Sequence, residues 1–328
     1  MRVLVTGGNG LLGTYVIGEL LSAGHQVTSF GRHRSSVART ESLIGDVTDI
    51  GTVRQAIANQ EAVVHMAAVT GPRKTTPERL LETNLIGTVN VLEAAVGAGI
   101  GKVVVASSGA ATGFSFQRDQ MTPAYLPIDE EHPAAPQDEY GLSKLLCEVT
   151  CARYAAAHGM STICLRINNA WYVDRESAAI ALESAAAGSS WTKGLTLEEI
   201  WLGRYWKMLS EADGHWPQPG PPPPRNLLWA VSDARDVAQA FRLAVETTSL
   251  RHEVFAVNAY DTCSLTPSAE LVSRHYPDVK LKEPLTGFAT LVSVQKAGRL
   301  LGYRPRYSWR SSDFRIWLHD QGLLPVDC

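Results

Sequence analysis

The sequence predicts an α/β protein with a doubly wound parallel sheet, and two observations lead to this fold class. The first is that the first half of the chain alternates short apolar runs with segments of helical periodicity. Apolar strands that alternate with helices are typical of a parallel sheet covered by helices on both faces. The second is a glycine-rich segment that lies directly between the first predicted strand and the first predicted helix.

The predicted elements of the first half follow one another in regular alternation. Strands are expected at residues 2–6, 26–30, 62–66, 102–106 and 161–165, and helices at 11–23, 53–59, 87–96 and 140–158. In the first helix, Leu12, Val16 and Leu20 recur at the spacing of one helix face, and Gly24 follows its end. Right-handed crossovers between such strands produce a doubly wound sheet.

The composition changes after residue 172, which indicates a different part of the molecule. Residues 173–226 are rich in alanine, tryptophan and proline. The proline run at 217–224 predicts a stiff surface loop, because proline fixes φ and lacks an N–H group. Two interpretations of the tryptophans stay open. They pack the interior of a small lobe, or they form an apolar pocket for a substrate.

The returning elements suggest how the chain divides into two lobes. A strand and a helix are expected again over residues 227–245, and a last helix near 292–301. We expect one domain of residues 1–172 with returning elements near 227–260, and a smaller mixed α/β lobe formed by residues 173–226 and 261–328. The smaller lobe is expected to bind the substrate.

Charge and composition argue against several classes of protein. The chain has 328 residues and a formal net charge of −3, without the basic excess of a nucleic-acid-binding protein. No stretch reaches the roughly 18 apolar residues of a transmembrane helix, so no membrane partner is expected. The five cysteines form no CxxC pair and show no metal-ligand spacing. We therefore expect no metal site and a reducing, cytoplasmic environment.

The glycine-rich segment has the composition of a dinucleotide-binding loop. Gly7, Gly10 and Gly13 follow the first strand and open the first helix. In a Rossmann-type fold, such glycines permit a tight turn, close approach of the backbone to a pyrophosphate, and tight packing of helix against strand. The helix N-terminus at Leu11 and Leu12 supplies N–H groups for the phosphates. The alternative is a plain glycine turn, which the strand–helix context makes the weaker interpretation.

The end of the second strand favours NADP over NAD as the dinucleotide. An acidic residue there would bind the adenosine ribose, but the sequence has Gly31 followed by Arg32 and, two residues on, Arg34. A guanidinium pairs well with a 2′-phosphate. The competing interpretation is a solvated basic loop, and NAD is the second choice.

A further candidate for the adenine end of the dinucleotide lies in the GDV segment at 45–47, where a short third strand is expected to end before the strand at 62–66. Asp46 and Val47 lie there, and the Asp46 carboxylate can accept a hydrogen bond from the adenine amino group. A turn-forming aspartate is almost as good an explanation.

A tyrosine and a lysine at the start of a long helix indicate proton-transfer chemistry. Tyr140 and Lys144 are four residues apart, so they lie on one face. The ammonium favours the phenolate and lets the phenol exchange a proton with a substrate hydroxyl or carbonyl. Ser108 follows a strand whose carboxyl end borders the expected ligand crevice, where its hydroxyl can bind the same substrate oxygen. His65 lies within a strand and is interpreted as a packed core histidine.

Nine segments in order resemble the extended short-chain dehydrogenase/reductase family, specifically its NAD-dependent epimerase/dehydratase group. They are TGGNGLLG at 6–13, GDV at 45–47, VVHMAA at 63–68, NLIGTVNVLEAA at 84–95, VVVASSGAATG at 103–113, YGLSK at 140–144, LRINN at 165–169, SDARDVA at 232–238 and KAGRLLGYRPRYSW at 296–309. The first half carries most of the resemblance.

The resemblance implies roles for residues at the matching positions. Ser108, Tyr140 and Lys144 would form the catalytic triad, with Lys144 also holding the nicotinamide ribose. The cofactor pocket would be lined by Ala67 and Ala68. The substrate would be contacted by Asn169 and, in a nucleotide-sugar enzyme, by an arginine for which Arg225 is the candidate. Members of this family are often dimers through a helix pair that includes the YxxxK helix, so a homodimer is expected.

Two departures from the family pattern affect the expected reaction. The family commonly has VYG where this chain has ATG ending at Gly113, so a tyrosine is replaced by Thr112. Sugar dehydratases carry an Asp-Glu pair after the catalytic hydroxyl, and here those positions are Gly109 and Ala110. Without that acid pair, elimination of a hydroxyl lacks its proton donor, which disfavours a dehydratase.

Three hypotheses for the function remain. The first is an NADP-dependent oxidoreductase that acts on a secondary alcohol or ketone of a small, sugar-like molecule. The second is a nucleotide-sugar epimerase with tightly held cofactor. The third is a non-catalytic NADP-binding regulator, which the complete set of Ser108, Tyr140 and Lys144 argues against.

Overall fold

The computed structural model describes residues 1–72, 75–171, 226–262, 264 and 266–308. The strands are β1 (Arg2–Thr6), β2 (Gln26–Gly31), β3 (Glu41–Ile44), β4 (Ala62–His65), β5 (Lys102–Ser108), β6 (Tyr125–Leu126), β7 (Ser161–Ile167), β8 (Ala170–Trp171), β9 (Ser232–Asp233), β10 (His252–Val257) and β11 (Lys280–Leu281). The helices are α1 (Leu11–Ser22), α2 (Ile50–Ile57), α3 (Pro77–Leu81), α4 (Gly87–Gly97), α5 (Glu139–His158), α6 (Ala234–Glu246), α7 (Ser268–His275) and α8 (Gln295–Leu300). A π-helical turn at Glu82–Ile86 joins α3 to α4, and 3₁₀ turns occupy Gly109–Thr112 and Asn226–Trp229.

The main sheet has seven parallel strands in the order β3-β2-β1-β4-β5-β7-β10. The chain moves outward in one direction from β1 to β3 and then continues from β4 on the other side of β1. The strand order therefore reverses between β1 and β4, where ligands bind in open α/β sheets. The doubly wound fold class is confirmed.

Apolar side chains cover both faces of this sheet. On one face, Val16 and Leu20 of α1 and Phe241 of α6 belong to the same buried cluster as Val5 of β1. On the other face, Val91 of α4 and Cys151 of α5 pack with neighbours from the strands. The strands are apolar on both sides because helices cover both sides, as the run of buried residues in β1 shows.

A smaller apolar cluster lies outside the main sheet. It contains Phe114, Ile128, Leu228 and Val292, with Trp229 close to His275 of α7. The two-residue strands β6 and β11 pair in parallel beside it. The four tryptophans of the segment 173–226, and Arg225, lie outside the described residues, so both interpretations of that segment stay predictions.

Several element boundaries differ from those that the sequence predicts. Strands β5 and β7 each run two residues further than expected, because β5 and β7 keep pairing as far as Ser108 and Ile167. The last helix begins at Gln295 rather than near residue 292. The strand β10 was not predicted. It begins with the polar residues His252 and Glu253, so the sequence shows neither a continuous apolar run nor a clear alternation.

Asp236 provides the first testable prediction, a pH dependence of stability. Its buried carboxylate accepts hydrogen bonds from the backbone N–H groups of Arg306 and Tyr307, which ties α6 to the segment after α8. Burial raises the pKa of Asp236 from 3.8 to about 6 despite those bonds. Because this pKa is higher in the folded than in the unfolded protein, protonation of Asp236 stabilises the folded state. This stabilisation is fully present below pH 3.8 and is lost as the pH rises through about 6.

We expect Asp236→Asn to remove this dependence, because the amide oxygen still accepts a backbone hydrogen bond and carries no charge. The difference in melting temperature between variant and wild type should move in favour of the variant, by a few degrees, as the pH rises from about 4 to 7. Asp278→Asn is a suitable comparison, since Asp278 is exposed. A difference that is constant across this pH range would contradict the assignment.

Candidate active site

The glycine loop after β1 has the geometry that a dinucleotide requires. Gly7 has a φ of +70°, and a Cβ atom there would lie 2.8 Å from the backbone nitrogen of Ala67. At Gly13 a Cβ atom would lie 2.6 Å from the carbonyl oxygen of Gly7, so helix and loop touch through their backbones. Gly10 meets only this same carbonyl, at 3.3 Å, and leaves its other side open. Gly7 thus permits the tight turn, Gly13 permits close packing of helix against loop, and Gly10 leaves space for a ligand to approach the backbone.

The first turn of α1 presents free N–H groups above this loop. Gly10 is the N-cap residue and offers no side-chain acceptor, and the first turn contains no acidic residue. Leu11 is 45% exposed although it is apolar, and it lies beside the open face of the loop. A helix N-terminus without a cap is suited to bind a phosphate. The residues present therefore fit a dinucleotide pyrophosphate.

A buried histidine connects the glycine loop to the neighbouring strand. The Thr6 hydroxyl accepts hydrogen bonds from the N–H groups of Met66 and Ala67, so its own proton is donated to Nδ1 of His65, 2.7 Å away. Nε2 of His65 therefore carries the proton and donates it to Thr88, at 3.1 Å. Burial, assisted by the charge of Lys144, lowers the pKa of His65 to about 3. The prediction of a packed core histidine is confirmed.

Ala67 and Ala68 follow this histidine and are half-buried at the end of β4. Because Ala67 lies directly against Gly7, the ends of β1 and β4 together form one wall of the crevice at the point where the strand order reverses. This position agrees with the cofactor-lining role expected for both alanines, which stays a prediction.

The basic residues after β2, Arg32 and Arg34, are exposed, and the charge of Arg32 reaches Asp46. Within the described part of the chain, Arg32 and Arg34 form no ion pair shorter than 4 Å. Burial alone would raise the pKa of Asp46, but hydrogen bonds from Thr48 and the charges of Arg79 and Arg32 hold it below its usual value. The charge of Arg32 therefore acts on Asp46, and both residues border the same end of the crevice.

Asp46 also forms the turn that the alternative interpretation expected. One of its carboxylate oxygens accepts hydrogen bonds from the backbone N–H and the hydroxyl of Thr48, at 3.0 and 2.9 Å. The other lies 3.7 Å from Arg79. Val47 is buried, and its carbonyl accepts a hydrogen bond from Asn90 at 2.9 Å. Contacts of either residue with adenine remain a prediction.

Tyr140, Lys144 and Ser108 lie at the junction of α5 with the end of β5. Lys144 is buried, and its Nζ donates a hydrogen bond to the carbonyl of Ala106, 2.7 Å away. The same Nζ lies 5.8 Å from the centre of the Tyr140 ring. The phenol ring packs on Ala110, two residues beyond Ser108. One proton of the ammonium is thus used by the protein, and two are left for a ligand.

The close approach of α5 to the end of β5 depends on a second glycine contact. A Cβ atom at Gly141 would lie 2.6 Å from the carbonyl oxygen of Ala110. The Ser108 hydroxyl accepts the N–H of Ala110 at 3.1 Å, which orients the serine at the start of the 3₁₀ turn. Phe116 closes the other side of Tyr140, with ring centres 6.0 Å apart. The three predicted catalytic residues therefore belong to one packed unit.

Asn169 lies on the same edge of the sheet as Ser108. It follows β7, which pairs with β5 so that Ser108 is opposite Ile167. The Asn169 amide makes one long hydrogen bond, 3.4 Å, to the carbonyl of Ala230, and its φ is +28°. Arg225, the other predicted substrate-binding residue, is not among the described residues.

The positions that carry an acid pair in sugar dehydratases cannot hold one here. A Cβ atom at Gly109 would lie 1.8 Å from Oδ1 of Asn168, so any larger residue would displace that side chain. Ala110 is buried against Tyr140. Thr112, which replaces the family's tyrosine, lines a small cavity together with Asn168 and Arg166.

The structure also assigns positions to polar residues that were not singled out from the sequence. Asn84, in the π-helical turn, accepts the N–H of Val69 and donates to the carbonyl of Val69 and to the hydroxyl of Ser143 in α5. It therefore holds the loop after β4 against α5. A buried asparagine inside an apolar helical stretch was the available signal.

Comparison with known proteins gives the family. Residues 3–172 match the NAD dependent epimerase/dehydratase family. The chain belongs to this family. It is therefore an enzyme of the short-chain dehydrogenase/reductase type, as the sequence predicted. None of its described helices is long and apolar enough to cross a membrane.

Two curated relatives and one solved structure illustrate its similarities. The chain is 27% identical to a UDP-glucose 4-epimerase of Corynebacterium glutamicum over 94% of this chain and 92% of that protein. It is 34% identical to an L-arabinose 1-dehydrogenase (NAD(P)(+)) of Haloferax volcanii over 51% of this chain and 66% of that protein. The fold matches a short-chain dehydrogenase/reductase superfamily protein of Agrobacterium tumefaciens with bound NAD, with a TM-score of 0.68 and 21% identity over 98% and 100% of the two chains.

Proposed function

We propose that the protein is an NADP-dependent oxidoreductase that interconverts a secondary alcohol and a ketone on a small, sugar-like molecule. The observation that carries this proposal is the packed unit of Tyr140, Lys144 and Ser108 beside a loop shaped for a dinucleotide. A binding protein would not need a buried ammonium next to a phenol, because burying an ammonium costs free energy.

Each residue of the unit has a defined part in the reaction. In the direction of oxidation, Tyr140 as phenolate takes the proton of the substrate hydroxyl, and Ser108 donates a hydrogen bond to the same oxygen. Lys144 stabilises the phenolate, and its remaining protons would hold the nicotinamide ribose. A nicotinamide held there would supply the acceptor for a hydride from the substrate carbon. In the opposite direction Tyr140 returns its proton to the ketone oxygen.

We propose NADP rather than NAD because Arg32 and Arg34 are exposed and unpaired in the described part of the chain, and Gly31 brings no carboxylate to the ribose. A Cβ atom at Gly31 would lie 3.1 Å from Oδ1 of Asn9, so a larger residue, such as an acidic one, would have little space at this position. Hydrogen bonds between a guanidinium and a phosphate are charge-assisted and frequently bidentate, so an exposed arginine at this position suits a 2′-phosphate.

The cofactor proposal is tested by fluorescence titration with NADPH and NADH. We expect wild type to bind NADPH more tightly than NADH. We expect Arg32→Ala to weaken NADPH binding by about 10- to 150-fold, since a charge-assisted hydrogen bond is worth about 1.5–3 kcal/mol. NADH binding should stay unchanged. Arg153→Ala removes an exposed positive charge of α5 and should change neither affinity. Tighter binding of NADH by wild type would refute the choice of NADP.

A nucleotide-sugar epimerase is the second candidate, and the similarity to a UDP-glucose 4-epimerase along most of the chain favours it. The two reactions differ in their net electron balance. With NADP⁺ and sugars such as L-arabinose, an oxidoreductase produces stoichiometric NADPH that absorbs at 340 nm. With UDP-glucose, an epimerase produces UDP-galactose and no net NADPH. Conversion of UDP-glucose without reduction of added NADP⁺ would replace the first proposal by the second.

A homodimer and a cytoplasmic location remain expectations. Leu142 and Val149 are 42% and 59% exposed and lie seven residues apart on α5, with Ile86 exposed in the neighbouring π-helical turn. Apolar side chains on one exposed face suit contact with a second copy.

A further inference from the structure

The catalytic helix α5 carries a third polar residue in line with Tyr140 and Lys144. Glu148 lies four residues after Lys144, so all three side chains share one face. Glu148 is 4% exposed, and its carboxylate receives three hydrogen bonds. Oε1 accepts from Ser107 at 2.6 Å and from Nε of Arg166 at 2.9 Å, and Oε2 accepts from Nη2 of Arg166 at 2.8 Å.

The two donors come from different strands at the edge of the sheet that borders the site. Ser107 of β5 and Arg166 of β7 are register partners, and Ser107 directly precedes Ser108. One carboxylate therefore joins α5, β5 and β7. It does so one residue from the predicted catalytic hydroxyl and one helical turn from Lys144.

This arrangement is poorly explained by stability alone. Arg166 is buried, and its third nitrogen, Nη1, has no hydrogen-bond partner within the described part of the chain. Taking two charges out of water is costly, and a pair of apolar side chains in the same space is often as stable as a buried ion pair or more so. Unlike apolar contacts, the hydrogen bonds between Arg166 and Glu148 fix the relative orientation of the two side chains.

Many of the other contacts between this part of α5 and the sheet are apolar and do not fix an orientation in this way. Cys151 is buried in an apolar cluster with Val103 and Cys164 of the strands β5 and β7. Burial of apolar surface stabilises the contact of the helix with the sheet but is itself non-directional. Displacement of a catalytic group by about 1 Å can cost about 100-fold in rate. A directional link next to the site is therefore useful.

We propose that Glu148, Arg166 and Ser107 are positioning residues that fix α5 against β5, so that Tyr140 and Lys144 face Ser108. The proposal rests on the proposed function for the identity of the reacting groups. None of the three positioning residues needs to touch substrate or cofactor.

The main test replaces the ion pair by apolar residues in the double variant Glu148→Leu/Arg166→Met. We expect a folded protein with a melting temperature close to that of wild type, because the charges of Glu148 and Arg166 are removed together. We expect kcat to fall by about 10- to 100-fold while KM for sugar and for NADP⁺ changes by less than about threefold, since binding depends on other residues. The same double replacement at the partly exposed pair Glu19 and Arg242, between α1 and α6, should leave kcat unchanged.

A second measurement does not depend on knowing the substrate. In protein labelled with 3-fluorotyrosine, the ¹⁹F resonance of Tyr140 is identified by its loss in Tyr140→Phe. We expect this resonance to shift or broaden in Glu148→Leu/Arg166→Met and to stay in place in the Glu19/Arg242 double variant. This result would support the positioning role even if no tested sugar were oxidised, so failure of the proposed function would be recognised separately.

Two outcomes would overturn the proposal. One is an unchanged kcat together with an unchanged Tyr140 resonance in the double variant. The other is a double variant whose activity falls only in proportion to its unfolded fraction, so that the folded molecules keep the wild-type kcat. If the double variant does not fold, Ser107→Ala decides the question with the same measurements. It removes one hydrogen bond and should lower kcat by about threefold to tenfold without changing KM, and an unchanged kcat would contradict the proposal.

Discussion

Tyr140→Phe is expected to lower kcat by about 10²- to 10⁴-fold, the usual contribution of a positioned acid–base group. The phenylalanine ring fills the same space between Phe116 and Ala110, so the fold should not change. Because the variant lacks only the hydroxyl that exchanges the proton, affinity for NADPH should remain within several-fold of wild type. The measurement is steady-state turnover together with fluorescence titration of the cofactor.

Tyr154→Phe is the matched control for this experiment. Tyr154 lies on the same helix, and its hydroxyl donates a hydrogen bond to Glu93 of α4, away from the crevice. This variant should keep the wild-type kcat. Undiminished turnover by Tyr140→Phe would show that the proton relay assigned to Tyr140 is wrong.

Gly13→Ala is expected to weaken dinucleotide binding. The added methyl group would lie 2.6 Å from the carbonyl oxygen of Gly7 and 2.7 Å from Cα of Gly8, and neither backbone atom can move without distorting the loop. Overpacking of this kind costs about 1–3 kcal/mol, which corresponds to a loss of affinity of about 5- to 150-fold if it falls on the bound state. Titration with NADPH and thermal unfolding measure the two effects.

Gly18→Ala in the same helix separates the contact from the change of residue type. No atom lies within 4 Å of a Cβ at Gly18, so the substitution should preserve NADPH affinity and raise stability by up to about 1 kcal/mol through helix propensity. If Gly13→Ala binds NADPH as tightly as Gly18→Ala does, the close packing of helix and loop is not needed for the cofactor.

The main sheet could be predicted because its strands are short, apolar and separated by helices. The central strands β1 and β4 and the long helix α5 lie within one residue of the expected boundaries. The edge strand β10 was missed. A short strand of mixed composition has no clear periodicity in its sequence. Its pairing with β7 in the structure identifies it.

The candidate reactive groups could be singled out from the sequence because each is a chemical exception in its surroundings, and their roles stay predictions. Glycines between a strand and a helix, and a tyrosine one turn from a lysine, have few structural explanations. The supporting contacts were harder to foresee. Glu148 and Arg166 are far apart in sequence, and only the packing of α5 on β7 brings their charges together. The link from Thr6 through His65 to Thr88 likewise depends on the pairing of β1 with β4.

The most direct test of the central claim is an experimental structure of the NADP⁺ complex. We predict that the pyrophosphate lies over the N–H groups of Leu11 and Leu12 and that the 2′-phosphate contacts Arg32. The nicotinamide ribose should be within hydrogen-bond distance of Lys144 and Tyr140, with the ring facing Ser108. A dinucleotide whose nicotinamide ring points away from Tyr140, or lies elsewhere on the protein, would contradict the account.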